Sequence, residues 1–339
     1  MGFRQRQVAS YTAAMLSFLR RKPAIPGSIW LDEPGAHKAI EAKARRGVIA
    51  DEEAANLRKF ADDGYFITRL DLSPAQAGAI DDDVDRLWRE KPHNISFAYD
   101  SSPLRFSQAD ETSQRRPRYR IHDLHAVSET ARRIYLDSNL SRYASLILDE
   151  QAVATQSLYF EYGSQQALHR DSVVVPTPIL GELLASWTAL EDIDPRSGAL
   201  VYVPGSHKLP YFEFAPGKYV YDPSRMGESD VRTAMAFYDQ TLAASGLQTR
   251  TFAAKRGEVL IWHSALLHGG GSVADESLTR KSFVVHYSAL AHHAVRHGAV
   301  SEVIDGTPGE SVYATNTILE SGSARGFDNA LDGQFQYRR

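Results

Sequence analysis

The residues able to do chemistry gather first in ALHRDSVVVP, residues 167–176. There His169, Arg170 and Asp171 spell both the start of a protein-kinase catalytic loop and a His-x-Asp pair able to hold a metal. A kinase loop needs an Asn five residues after its Asp, and Pro176 stands there; no Asp-Phe-Gly and no Gly-rich phosphate loop occurs in the chain. The kinase reading is excluded. As a metal pair the stretch does better. Residues two apart in an extended segment face the same way, so His169 and Asp171 present an imidazole and a carboxylate to one ion while Arg170 faces elsewhere. The candidate third ligand is His268 in LLHGGG, after the apolar run 258–264 and before glycines expected to let the chain turn tightly. Two histidines and one carboxylate on one face of an octahedron leave three positions open, the arrangement of non-haem Fe(II) oxygenases.

Arg280 and Ser282 in TRKSFVVHY again share one face of a strand, and they offer a guanidinium fork and a hydroxyl to a carboxylate. Such a pair fits a cosubstrate that chelates iron at one end and is anchored by an ion pair at the other. 2-Oxoglutarate has both ends. Lys281, between them, is expected to face away.

The chain that must position these groups has 339 residues, 43% of them hydrophobic, enough for a substantial core. A formal charge of −4 and a pI near 6.3 provide no electrostatic footprint for nucleic acid. With no cysteine, disulfides, thiol nucleophiles and Cys-built metal sites are excluded, so any metal must be held by His, Asp or Glu. A reducing, cytoplasmic location is the expectation. No apolar run approaches the roughly 20 residues of a membrane-spanning helix. Residues 1–31 carry Arg4, Arg6, Arg20, Arg21 and Lys22 and no acid, with Val8, Tyr11, Met15, Phe18 and Leu19 at helical spacing. That is the pattern of a basic amphipathic helix, docked on its own domain or, through residues 1–25, on an anionic membrane at the inner surface.

Residues 1–36 read as this helix and a connector, and 37–300 as a single domain. Helices are expected over 37–62, the second capped by Asp51, and from the Ser73-Pro74 cap to about Glu90, with a strand at GYFITRLDL between them. A polar loop spans 91–117, and two further helices follow Ser128 and Asn139. From about residue 150 the texture changes to short β-rich runs separated by Gly, Pro, Asp and Ser. The expected fold is mainly β with supporting helices, around a double-stranded β-helix of the jelly-roll, cupin-like kind. The interval 209–250 is a lid-like insert at the barrel mouth, and 301–339 is a tail without an assigned role.

Four ordered blocks, QSLYFEYGSQQALHRD, SWTALEDIDPRSGALVYVPGSHK, GEVLIWHSALLHGG and TRKSFVVHY, resemble the phytanoyl-CoA dioxygenase family of Fe(II)- and 2-oxoglutarate-dependent oxygenases over roughly residues 60–290. The resemblance implies iron ligation by His169, Asp171 and His268, and binding of the distal 2-oxoglutarate carboxylate by Arg280 with help from Ser282. It places Gln156 and Trp187 in the cosubstrate pocket. It also implies O2-dependent decarboxylation to succinate and CO2 coupled to hydroxylation of an unactivated C–H bond. Halogenating relatives replace the carboxylate ligand with a small residue, so Asp171 favours hydroxylation or a related oxidation. The Arg, Tyr, Phe and Pro of 92–125 and 209–250 suit a small or amphipathic substrate, anionic or lipid-linked. Two alternatives stand beside this: a 2-oxoglutarate-independent metal dioxygenase, which would not need Arg280, and a non-catalytic jelly-roll binding protein. The oligomeric state is open.

The remaining polar residues have plainer readings. His263 and His286 are core or pocket-wall histidines. Ser206 and His207 belong to a structural turn beside the pocket, and His292, His293 and His297 are surface residues. RRPRYRIHDLH is a solvated edge strand from which Arg118 or Arg120 reaches an anionic substrate or 2-oxoglutarate.

Overall fold

The computed structural model describes residues 29–91, 95–99, 106–107, 111, 113–115, 118–175, 180–219, 221, 225–289 and four short strands beyond residue 302. The basic segment 1–25 and His292, His293 and His297 lie outside the described residues.

Helices α1 (Ala36–Arg45) and α2 (Asp51–Asp63) lead into strand β1 (Tyr65–Arg69), and α3 (Pro74–Glu90) follows. Asp51 does not cap α2. It is the first helical residue, where with Glu52 and Glu53 it meets the positive end of the dipole, and the Ala50 N–H donates to the Glu53 carboxylate at 2.8 Å. Ser73 does cap α3: its hydroxyl accepts from the Gln76 N–H at 3.2 Å, and the Gln76 side chain accepts from the Ser73 N–H at 2.8 Å.

The expected loop 91–117 contains β2 (Ser96–Tyr99) and β3 (Phe106–Ser107). Strand β4 (Tyr119–His122) corrects a larger expectation. It is buried along its whole length and lies between β2 and β5 rather than at a solvated edge. Helix α4 (Glu129–Tyr135) starts at the Ser128 cap, whereas α5 (Ser138–Leu148) is capped by Asp137, whose carboxylate accepts from the Leu140 N–H at 2.9 Å, so Asn139 is already helical.

The barrel follows: β5 (Ala152–Phe160), a short helix α6 (Asp171–Val174), β6 (Leu183–Ala189), β7 (Leu200–Tyr202), helix α7 (Glu228–Ser245), β8 (Arg250–Phe252), β9 (Glu258–His263), β10 (His268–Gly270) and β11 (Ser282–Ala289). The large sheet runs β1-β9-β6-β11-β5-β4-β2-β3, with every pair along this path antiparallel; the small one runs β10-β7-β8, extended by a bridge between His169 and His268. Alternation along the strands sends Phe160, Trp187, Leu260, Trp262 and Val284 into the core shared with Leu200, Tyr202 and Phe252 of the small sheet. The opposite face of the large sheet packs on the helices through residues such as Phe66, Ile261, Phe283 and Tyr287. Burying one such side chain stabilises the fold by about 1.5–3 kcal/mol. The result is the expected jelly roll with supporting helices.

A register shift between His286 and Tyr287 leaves Thr155 of β5 unpaired, and its hydroxyl donates to the His286 carbonyl at 3.2 Å. This bulge flips the alternation, so Gln156 and His286 face the barrel while Ala154 and Tyr287 face the helices. The tail contributes β12 (Val303–Thr307), β13 (Ser311–Ala314), β14 (Thr317–Glu320) and β15 (Ser323–Gly326), with β13 parallel to β5.

Candidate active site

His169 and His268 are brought together by backbone pairing. The His169 N–H donates to the His268 carbonyl at 2.9 Å and the reverse bond is 3.1 Å. The glycines after His268 make this approach possible. A Cβ on Gly269 would meet the Gln166 carbonyl oxygen at 2.5 Å, and one on Gly270 the Gln165 nitrogen at 2.6 Å. Their purpose is close packing of two backbones, rather than the tight turn their spacing suggests.

Arg170 is extended, at φ −110° and ψ 133°, so the side chains on either side of it point the same way even though Asp171 opens α6. The three candidate ligand atoms of His169, Asp171 and His268 lie within 4.8 Å of one another, and all three residues are buried. Asp171 Oδ1 is 3.4 Å from His268 Nε2 and 3.7 Å from His169 Nε2.

Both imidazoles are held in the tautomer a metal needs. His169 Nδ1–H donates to the Ala167 carbonyl at 2.9 Å and His268 Nδ1–H to the Leu266 carbonyl at 3.0 Å, turning each Nε2 towards Asp171. Burial, reinforced by the neighbouring His268 ring, pushes His169 down to about 4, so it is neutral. Burial alone would raise Asp171, but the His268 charge and hydrogen bond, with His286 and His169 beyond, hold its carboxyl well below the usual range. Burial would likewise lower His268, and Asp171 outweighs it and raises it. A buried anion facing two Nε2 atoms is a donor set for one divalent ion.

The cationic side of the pocket is built on Phe160. The guanidinium of Arg280 lies 5.4 Å from that ring and 5.7 Å from the Trp187 ring, and the guanidinium of Arg120 lies 5.1 Å from Phe160. Ser282 Oγ and Trp187 Nε1 are buried and have no hydrogen-bond partner among the described residues. Lys281 faces away, to Asp81 at 2.7 Å, and Arg118 turns outward to Glu276 at 3.3 Å, so Arg120 is the β4 arginine at the site. Gln156 is buried, 2.6 Å from His122 and in register with His286, whose Nε2 is 3.8 Å from Asp171 Oδ2. His286 is thus a pocket wall. His263 is a core histidine on the helix side: its Nδ1 accepts from the Ala265 N–H at 2.9 Å and its Nε2 faces Asp32 at 3.3 Å. Of the turn pair, Ser206 Oγ accepts from the Leu267 N–H at 2.8 Å beside His268, whereas His207 packs against His263 with ring centres 5.5 Å apart.

Sequence reasoning missed three participants. Trp262 donates its indole N–H to Asp171 at 2.8 Å, and Gln166 places its amide 3.3 Å from His169 Nε2. Arg170 is completely buried and donates to the carbonyls of Ser206, Leu209 and Pro210 at 2.8, 3.0 and 3.2 Å. An indole inside an apolar run reads as core, and an arginine between two ligands reads only as facing elsewhere. Only the three-dimensional partners reveal either.

A jelly roll with two imidazoles and one carboxylate on its inner face defines the class of double-stranded β-helix proteins built to hold a single metal ion. The chain belongs to the phytanoyl-CoA dioxygenase (PhyH) family, whose model matches residues 60–282. Peroxisomal phytanoyl-CoA dioxygenase of Bos taurus is 28% identical over 144 residues, 42% of this chain and 39% of the relative. Phytanoyl-CoA dioxygenase domain-containing protein 1 of Bos taurus is 32% identical over 90 residues, 25% of this chain and 31% of the relative. The chain therefore spans well under half the length of these relatives. Among solved structures, the non-heme alpha-ketoglutarate-dependent carbocyclase SnoK from nogalamycin biosynthesis shares the fold at a TM-score of 0.52 and 16% identity, over 71% of this chain and 84% of that one. EctD from S. alaskensis with bound Fe does so at 0.50 and 19%, over 80% and 83%.

Proposed function

We propose that this chain is an Fe(II)- and 2-oxoglutarate-dependent dioxygenase that hydroxylates an unactivated C–H bond of a small or amphipathic molecule, anionic or lipid-linked, with release of succinate and CO2. One observation carries the reading: two imidazoles whose tautomers are fixed by main-chain carbonyls aim Nε2 at the same carboxylate oxygen, inside a buried pocket whose other side is cationic. His169, Asp171 and His268 would hold the iron. Arg280 would take the far carboxylate of 2-oxoglutarate, assisted by Ser282 Oγ and the indole N–H of Trp187, whose buried polar atoms have no other partner among the described residues. Gln156, beside His122, and Arg120, over Phe160, would line the same pocket.

When bound, the iron would supply O2-dependent oxidation and 2-oxoglutarate the electrons for it. The protein's part is to bind, orient and keep dry. The rings of Phe160 and Trp187 exclude water from around Arg280, which strengthens its attraction for a carboxylate. The insert 209–250 stands in sequence between β7 and β8 and is fastened by Arg170 behind the metal-bearing turn, which suits a lid. Among the described residues no helix is long and apolar enough to cross a membrane. A peripheral contact through residues 1–25 is the route we propose to a lipid-borne substrate.

Anaerobic titration of the Fe(II)-loaded protein with 2-oxoglutarate tests the class. A metal-to-ligand charge-transfer band is expected, absent in His169→Ala; no band in the wild type would overturn the reading. Retention of metal-dependent O2 uptake without succinate would favour the 2-oxoglutarate-independent alternative. Screening small and amphipathic acids for coupled succinate release then identifies the substrate, and liposome co-sedimentation against a chain lacking residues 1–25 tests the membrane contact.

A further inference from the structure

The two oxygens of Asp171 face different partners. Oδ1 looks towards the imidazoles, 3.4 Å from His268 Nε2 and 3.7 Å from His169 Nε2. Oδ2 accepts the indole N–H of Trp262 at 2.8 Å, and His286 Nε2 stands off from it at 3.8 Å, beyond a good hydrogen bond. Trp262 comes from β9, on the far side of the sequence from α6, and is 2% exposed. Its position is set by register: it pairs with Tyr65 of β1 and Ala185 of β6, and its ring lies 4.7 Å from that of His268.

From this we infer that Trp262 is a positioning residue for the metal centre: its N–H holds Oδ2 and so presents Asp171 to the ion through Oδ1 alone. The physical case has three parts. A hydrogen bond from a neutral donor to a buried carboxylate is charge-assisted and strong, and here it fixes the plane of the carboxylate as well as its place. With Oδ2 engaged, chelation of the ion by both oxygens would require breaking that bond, so the carboxylate takes one coordination position instead of two. That leaves the remaining positions for a chelating cosubstrate and O2, as the proposed function requires. Finally, the same ring packs on His268, so one side chain orders two of the three ligands. The inference rests on the metal-centre reading and adds to it a residue outside the ligand set.

The experiment is Mn(II) binding by calorimetry to the full chain and to Trp262→Phe, which keeps an aromatic ring and removes the donor. Loss of a hydrogen bond to a metal-ligating carboxylate typically weakens metal affinity about 10- to 100-fold. We expect a loss of that size in Mn(II) affinity, in addition to the lower melting temperature that removing a buried donor brings to the metal-free protein, and an altered visible spectrum with Co(II) in place of Mn(II) as the carboxylate mode changes. Equal Mn(II) affinity and identical Co(II) spectra in the two proteins would overturn the inference while leaving the metal centre intact. A wild type that takes up neither ion would overturn the metal centre itself, and this inference with it. Should Trp262→Phe fold poorly, the 15N-indole spectrum of the wild type decides. The Trp262 N–H, identified by its through-space contact with the His268 ring, is expected far downfield and shifted by Zn(II). A resonance at an ordinary position that ignores Zn(II) would overturn the assignment.

Discussion

The guanidinium carbon of Arg170 lies 4.6 Å from the ring centroid of Tyr238, so a residue wedged between two candidate metal ligands is fastened to helix α7 of the insert. Tyr211 stacks on it as well, at 4.7 Å, and three main-chain carbonyls accept its N–H groups. Replacing this side chain by methionine keeps most of the volume but orphans the carbonyls and the ring faces. We expect Arg170→Met to cost about 2–4 kcal/mol of stability, read from urea unfolding, and to speed proteolysis within 209–250. Unchanged cleavage there would show that the insert is held by its apolar contacts alone.

Metal should stabilise the fold through the triad. At a free ion concentration 100 times Kd the gain is about 2.7 kcal/mol, and it should disappear in His169→Ala and in chelator-treated wild type. Thermal melts with Mn(II) check this, and a rise in Tm that persists in His169→Ala would place the bound ion elsewhere.

Arg280 should matter for 2-oxoglutarate and little for the metal. A charge-assisted hydrogen bond contributes about 1.5–3 kcal/mol, so Arg280→Ala is expected to weaken 2-oxoglutarate binding roughly 10- to 150-fold while leaving Mn(II) affinity within about twofold. Parallel titrations separate the two effects. Equal 2-oxoglutarate affinity in the variant would shift the anchor to Arg120.

The buried histidines set an acid limit on stability. Burial lowers His125 from its ordinary 6.5 to about 4, with Asp123 opposing it only in part. Between those values the unfolded chain binds the proton and the folded one does not. Stability is therefore full above about 6.5 and falls as the pH drops towards 4. His207, pushed down to about 3 by burial and by His263, acts in the same direction. Urea midpoints of the metal-free protein should decline across this window, and less steeply in His125→Gln. A variant with the wild-type slope would mean that His125 does not contribute to it.

The triad was legible because few residue types can do its chemistry: a His-x-Asp and a second His before glycines define it, and burial then only confirms that they meet. The cap at Ser73 was equally local. What sequence hid was what depends on distant partners. Strand β4 looked solvated because it carries Arg120 and His122, yet these are buried because they face the pocket. Charge marked the interior of the barrel instead of an outer surface. Trp262 sits 91 positions from Asp171, and nothing in IWHS distinguishes an indole that packs from one that also donates. Asp137 displaced Asn139 as a cap because the chain enters α5 two residues earlier than the apolar pattern suggests.

Because Arg170 grips main-chain oxygens, any amino acid at positions 206, 209 and 210 supplies the same handhold. In the proposed lid, the other side chains of the insert are free to change which molecule is admitted, so long as Tyr211 and Tyr238 keep their rings against Arg170. For an engineer the corollary is practical: under the proposed lid role, loop exchange between 213 and 237 is the natural route to new selectivity, provided the backbone path before it and the two tyrosines on Arg170 are left alone.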